Sequence, residues 1–293
     1  MNENEAHPVY DMKSLVSERA DIVLITLDTL RFDVAQQLWS QDQIPNLSNY
    51  LGIDGWECRH TPASFTYAAH HAFFSGFLPT PASPGRHPRL YASRFGGSET
   101  IDDRTFVFSE PTLPESLSAI GYQTICIGGT GFFNPDNSLG QVLPGLFDEA
   151  YWSPELGVVD RSSETNQIQL ALNCLKKADD IPVFLFMNVS AIHQPNWFYD
   201  VSKKPTPRTS SENVDQPQPQ DDLQSHGAAL SAVDQALEPL FAFFENREKI
   251  EDQRKAFFIV CSDHGTAYGE NGFVGHRCAH EVIWNVPYTE FVI

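Results

Sequence analysis

Basic residues are scarce. Nineteen Lys and Arg stand against 38 Asp and Glu, a formal net charge of −19. Phosphate backbones and anionic bilayers are held by Lys and Arg, so the deficit argues against a nucleic-acid or membrane-surface partner. It leaves a small phosphate- or sulfate-bearing substrate open, because a bound cation inverts the local sign. No run of about 18 apolar residues occurs, so no membrane-spanning helix is expected. The opening MNENEAHPVYDMK lacks an apolar stretch behind a basic start, so no secretory signal is expected either. The five cysteines (Cys58, Cys126, Cys174, Cys261, Cys278) are odd in number, far apart and without a CxxC pair. They read as reduced core thiols and, with the missing signal, predict a cytoplasmic protein.

Apolar residues are plentiful. They make up 41% of the 293 residues and include 21 Phe, enough for a sizeable core. Continuous apolar runs at 22–27 (IVLITL), 122–127 (YQTICI), 183–189 (VFLFMNV) and 257–261 (FFIVC) read as strands covered on both faces. Helical patterns lie between them: 31–39, 113–120 ending at Gly121, 163–177 with Ser162 or Ser163 as cap, and 222–246. Pro239 interrupts the last pattern. Alternation of this kind predicts an α/β fold, a three-layer α/β/α sandwich around a mostly parallel sheet. We expect one domain over residues 1–293. The Pro-rich polar stretch 200–221 is expected to be a flexible surface loop, with a substrate lid as the sharper alternative.

In parallel sheets, ligands gather at the carboxyl ends of strands. The first strand ends in Asp28-Thr29-Leu30-Arg31, the last in Ser262-Asp263-His264-Gly265, and the third leads to His193-Gln194-Pro195. Carboxylates and imidazoles from distant segments are the ligands of a catalytic divalent cation. A further stretch, residues 64–79, places Thr66 ahead of small residues at a helix start, where negative charge is favoured. Taken singly, these are an ordinary strand-end Asp and a capped helix; together they point to a metal site beside a hydroxyl nucleophile.

In this order the residues resemble the sulfatase-like branch of the alkaline phosphatase superfamily, from residue 21 to 293. IVLITLDTLRFD resembles its first strand and metal aspartate, here Asp28. PNLSNYL (45–51) resembles the helix that follows. Thr66 to Pro79 resembles the nucleophile helix, with His70 at the family's Arg or His. His193-Gln194-Pro195 resembles its His-x-Pro element, and Asp263-His264-Gly265 its second metal pair. Gly275-His276 falls on the family's Gly-Lys, and Glu281 and Val286-Pro287 follow at the family's spacing.

The departures point the chemistry. Thr66 cannot become the aldehyde that sulfatases make from Cys or Ser. Ala68 replaces the proline of that motif, His70 its arginine, and Thr29 the second early aspartate. Gly128-Gly129-Thr130-Gly131 lacks the family's lysine and histidine. Threonine is the nucleophile of the phosphatase and phosphodiesterase relatives. The resemblance therefore implies a metal-dependent ester hydrolase acting on a phosphate mono- or diester. Asp28, Asp263 and His264 would hold a divalent ion: zinc first, with manganese, calcium or magnesium as alternatives. Thr66 would be the nucleophile, His70 would bind equatorial oxygens, and His193 or His276 would move protons. A second ion would draw on His193, His276 and His280, or on Asp222 with His226. Lys203, Lys204 and Arg208 on the long loop could supply charge on closure. Two other readings stand: a sulfuric ester hydrolase with unmodified threonine, and a non-catalytic binding protein on the same fold.

Overall fold

A computed structural model describes residues 10–78, 87–93, 103–203, 219–248 and 254–293. In chain order the elements are α1 (Met12–Ser17), β1 (Asp21–Leu27), α2 (Phe32–Ser40), α3 (Pro45–Ser48), β2 (Glu57–His60) and α4 (Thr66–Ser75). Then come β3 (Tyr91–Ser93), β4 (Phe106–Phe108), α5 (Leu113–Ala119), β5 (Gln123–Ile127), β6 (Glu149–Tyr151), α6 (Ser163–Ala178) and β7 (Val183–Val189). The last are α7 (Leu223–Glu248), β8 (Ala256–Cys261), β9 (Ala267–Tyr268), β10 (Val274–Gly275), α8 (Glu281–Trp284) and β11 (Asn285–Val292).

Seven strands form one sheet in the order β2-β11-β8-β1-β7-β5-β6. The run from β8 to β6 is parallel, and β11 and β2 add an antiparallel margin. The four apolar runs of the sequence are β1, β5, β7 and β8, and all lie in this sheet. Successive side chains of a strand point to opposite faces. Val23, Ile25, Leu27, Leu185 and Met187 therefore pack on one side, with α2, α3, α6 and α7. Ile22, Leu24, Phe184, Phe186 and Phe257 pack on the other, with Leu15 of α1, Phe74 of α4 and Leu117 of α5. Both faces are covered, which is why these strands read as unbroken apolar runs. The α7 helix runs on through Pro239. Most of the 200–221 stretch, including Lys204 and Arg208, lies outside the described residues.

β1 and β8 are direct neighbours, with Thr26 paired to Cys261. Asp28 and Asp263 each sit two residues beyond that rung. Adjacent parallel strands of matched length thus deliver both carboxylates to one edge of the sheet.

Candidate active site

Asp28, Asp263 and His264 are fully buried, and one ligand atom from each lies within 4.8 Å of the others. Among the described residues this is the cluster of metal-ligand type. Asp28 Oδ2 accepts from Asn188 Nδ2 on β7 at 2.8 Å. Asp263 Oδ1 accepts from the backbone N–H of Thr29 at 3.2 Å and of His264 at 3.0 Å. Thr29 reaches that position in the left-handed region, φ 65°, unusual for a β-branched residue. His264 Nδ1–H donates to the Gly265 carbonyl at 2.9 Å, which leaves Nε2 as a lone pair. Nε2 lies 3.4 Å from Asp263 Oδ2. Gly265 is required here: a Cβ would come within 1.8 Å of the Val282 carbonyl oxygen.

Two carboxylate oxygens, Asp28 Oδ1 and Asp263 Oδ2, are buried without a hydrogen-bond partner. An unpaired buried charge is strongly unfavourable, so such groups shift their pKa or find a cation. Burial, with the Asp263 charge next, pushes the Asp28 carboxyl up to about 6. Burial likewise pushes Asp263 up to about 7. A divalent ion fits this donor set: two carboxylates with open oxygens and an imidazole presenting its lone pair.

Thr66 is the first residue of α4 and is buried. Its Oγ1 donates to Asp28 Oδ2 at 3.3 Å and lies 3.3 Å from His264 Nε2. The preceding Phe65 is extended (φ −162°, ψ 155°), so the chain turns into the helix with the hydroxyl against the cluster.

His193 and His276 form a row with His264. Ring centroids lie 4.7 Å apart for His264 and His276, and 5.6 Å for His276 and His193. His193 Nδ1–H donates to the Gln194 carbonyl at 2.6 Å, leaving Nε2 as a lone pair. Burial, then the fields of His264, His193 and Arg277, holds His276 down at about 4.

His70 departs from the expectation. Both ring nitrogens are taken: Nδ1–H donates to the Thr66 carbonyl at 2.7 Å, and Nε2 accepts from Thr26 Oγ1 at 2.8 Å. Phe73, Phe74, Phe133 and Phe186 surround the ring at 5.3–6.1 Å. Burial drives its pKa down to about 3. These bonds tie α4 to β1 through the ring.

The second-ion candidates are mostly engaged. His226 accepts from Arg31 N–H at 3.3 Å and contacts Tyr268 Oη at 3.0 Å. Asp222 pairs with Lys203 at 2.7 Å and accepts from Ser225 N–H at the start of α7. His280 accepts from Val282 N–H at 3.2 Å and contacts Asn271 at 3.1 Å.

Three residues were missed. Asn188 and Thr26 are polar breaks in otherwise apolar strands, a visible signal for an inward polar contact at a sheet centre. Arg277 follows His276; its N–H donates to Ser64 O at 2.9 Å and its guanidinium lies 5.0 Å over the Phe65 ring.

Fold and site together define a class: alkaline phosphatase-like enzymes that act on esters, as hydrolases or transferases. Within it the chain belongs to the sulfatase family, whose family model matches residues 20–288. No curated protein sequence matches. Several solved structures share the fold. The soluble domain of lipooligosaccharide phosphoethanolamine transferase A from Neisseria meningitidis matches with a TM-score of 0.60 at 16% identity, over 92% of this chain and 75% of that one. The C-terminal periplasmic domain of EptC from Escherichia coli, in complex with Zn, matches with a TM-score of 0.59 at 10% identity, over 93% and 72%. A protein in the alkaline phosphatase superfamily from Vibrio parahaemolyticus matches with a TM-score of 0.56 at 18% identity, over 93% and 60%.

These likenesses correct the cytoplasmic expectation. A neighbour of this fold is a periplasmic domain, and transferase A has also been solved as an integral membrane protein. The physical reason for the miss is that free thiols record only that no two sulfurs meet, not the redox state of a compartment. All five cysteines are free, with Cys126, Cys174 and Cys261 buried and Cys58 exposed. The expectation of no membrane partner loses its support with the same finding. Among the described residues no helix is long and apolar enough to cross a membrane.

Proposed function

We propose that this protein is a one-metal phosphoester hydrolase or phosphoryl-type transferase with Thr66 as nucleophile. The observation that carries the reading is the Thr66 hydroxyl, 3.3 Å from both Asp28 and His264, against two buried carboxylates that each keep an open oxygen. Asp28, Asp263 and His264 would hold the ion, and the Zn complex of EptC supports zinc as its identity. Bound there, a divalent ion supplies Lewis-acid polarisation of the ester and lowers the proton affinity of a neighbouring hydroxyl. Asn188 fixes the Asp28 carboxylate, and Thr29 N–H and His264 N–H fix that of Asp263. Thr66 Oγ, its proton passed to His193 Nε2, attacks phosphorus in line, and the bond to the leaving alcohol breaks as His193 gives that proton to the alcohol. The phosphothreonine is then opened by water or an acceptor alcohol. His276, kept neutral, takes the proton of that incoming oxygen, with His193 beside it for the leaving group. His193 and His276 come without a further carboxylate, so a second ion has no cage among the described residues. The substrate would be a small phosphate ester; the acidic excess still argues against nucleic acid.

A second reading, a sulfuric ester hydrolase, is favoured by the family itself. One experiment serves both. The zinc-loaded protein is assayed on an aryl phosphate, a bis-aryl phosphodiester, a phosphonate and an aryl sulfate, beside Thr66→Ala. We expect the phosphorus esters to turn over, and Thr66→Ala to lose about 10³-fold or more in kcat with its zinc content kept. Full activity in Thr66→Ala removes the nucleophile from the mechanism; turnover of the sulfate alone favours the second reading.

A further inference from the structure

The charge of the centre leaves an anionic ester short of a cation. Asp28 and Asp263 balance the charge of one divalent ion. A phosphate ester adds at least one more negative charge to a chain already at −19. Nearby cations are spent: Arg31 on Asp33 and Glu270, and Lys203 on Asp222 and the Gln220 carbonyl. We propose that Arg277 is the residue that takes the non-bridging oxygens of the ester over Thr66, a substrate-positioning and specificity role. This rests on the metal-dependent ester reading above.

Three observations carry it. First, Arg277 is fastened at both ends to the turn that presents the nucleophile. Its N–H donates to Ser64 O at 2.9 Å, and its guanidinium lies 5.0 Å over the ring of Phe65, the residue before Thr66. Second, among the described residues its side chain has no carboxylate partner, although 38 acidic residues are available to a chain with so few bases. Third, Arg277 holds φ 67°, in the left-handed region where glycine is favoured and a long side chain is strained. Together with Gly275 at φ 78° it brackets His276. Strain of this kind concentrates at binding and catalytic positions. A guanidinium matches tetrahedral oxyanions through paired N–H donors, which a lysine cannot copy.

The strain supplies a test that separates function from folding. Glycine suits φ 67°, so Arg277→Gly keeps the backbone while removing the cation. Binding of inorganic phosphate to the zinc-loaded protein is measured by calorimetry for wild type, Arg277→Gly, Arg277→Gln and Arg277→Lys, with the melting temperature of each. We expect Arg277→Gly to melt at or above the wild-type temperature and to bind phosphate about 10- to 100-fold more weakly, the worth of one or two charge-assisted hydrogen bonds. Arg277→Gln should show the same loss, and Arg277→Lys a partial recovery. The KM for the aryl phosphate should rise in parallel. Phosphate affinity within twofold of wild type in both the Gly and Gln variants overturns the assignment, as does a wild type that binds no phosphate. Failure of the underlying reading looks different: no zinc retained, and turnover indifferent to Thr66→Ala.

Discussion

Asp28 sets the residue-scale energetics of this protein. Its carboxyl stands at about 6 in the fold against 3.8 ordinarily, because burial disfavours the anion and Asp263 repels it. A carboxyl raised by folding stabilises only while protonated. Its contribution is present below about pH 4 and is lost as pH climbs through about 6. Above that, the metal-free fold carries an anion it would be better without. We therefore predict that Asp28→Asn stabilises the metal-free protein at pH 8 by about 1–3 kcal/mol, with the gain falling to about a third of that at pH 4.5. The same change should abolish tight zinc binding. Urea denaturation at the two pH values checks it; a metal-free wild type that is the more stable at pH 8 would count against the buried-anion account. At this scale the sequence was informative where chemistry follows a strand. Asp28, Asp263 and His264 stand just beyond apolar runs, and the fold brings them together. The spacing of His70 from Thr66 suits a ligand equally well as an i, i+4 imidazole bonded to the Thr66 carbonyl, which is the contact the structure shows. Asn188 is visible as a polar break in the apolar run of β7, whereas Arg277 meets Ser64 and Phe65 of another segment, contacts that nothing in its own surroundings marks.

At the scale of elements, what could be read followed burial. β1, β5, β7 and β8 are covered on both faces and appear as unbroken apolar runs. β2, β6 and β11 lie in the outer part of the sheet and are partly exposed, with Glu57, Glu149 and Glu290 among their residues, so no run announces them. The antiparallel β11 nonetheless covers the β8 flank along its register from Tyr288–Cys261 to Val292–Phe257. Helix α3 was anticipated as a motif, but its anchor was not. Asp234, buried on α7, accepts from Leu47 N–H at 2.8 Å, Asn46 N–H at 3.2 Å and Asn46 Nδ2 at 3.1 Å. It caps α3 from another helix, a role that no local cap pattern reveals. Removing it leaves buried amides unsatisfied while creating a small void. We expect Asp234→Ala to destabilise by about 2–4 kcal/mol, and Asp234→Asn by less. Equal denaturation midpoints for Asp234→Ala and wild type would show that α3 is held by packing alone.

For the molecule as a whole, the centre couples metal, protons and stability, because the ion site lies where two strands of the central sheet end. Zinc held as proposed would bind the folded chain and not an unfolded chain whose ligands are up to 236 positions apart (264 − 28). Mass action then stabilises by about 2.7 kcal/mol at a hundredfold excess over Kd, which for a chain this size raises the melting temperature by about 5 °C. Protons compete for the same oxygens. As pH falls below about 7 and then about 6, Asp263 and Asp28 take up protons, and each proton displaced weakens zinc about tenfold per pH unit. The metal-free protein responds with the opposite sign, since protonating these two carboxyls relieves their burial and mutual repulsion. The gap between the zinc-loaded and chelator-treated melting curves should therefore be widest near pH 8 and close toward pH 5, from both sides at once. Differential scanning calorimetry with matched zinc and chelator samples at pH 8, 6.5 and 5 measures it. A gap that persists unchanged at pH 5 would place the bound ion away from Asp28 and Asp263, and no gap at any pH would remove the ion from the structure's stability altogether.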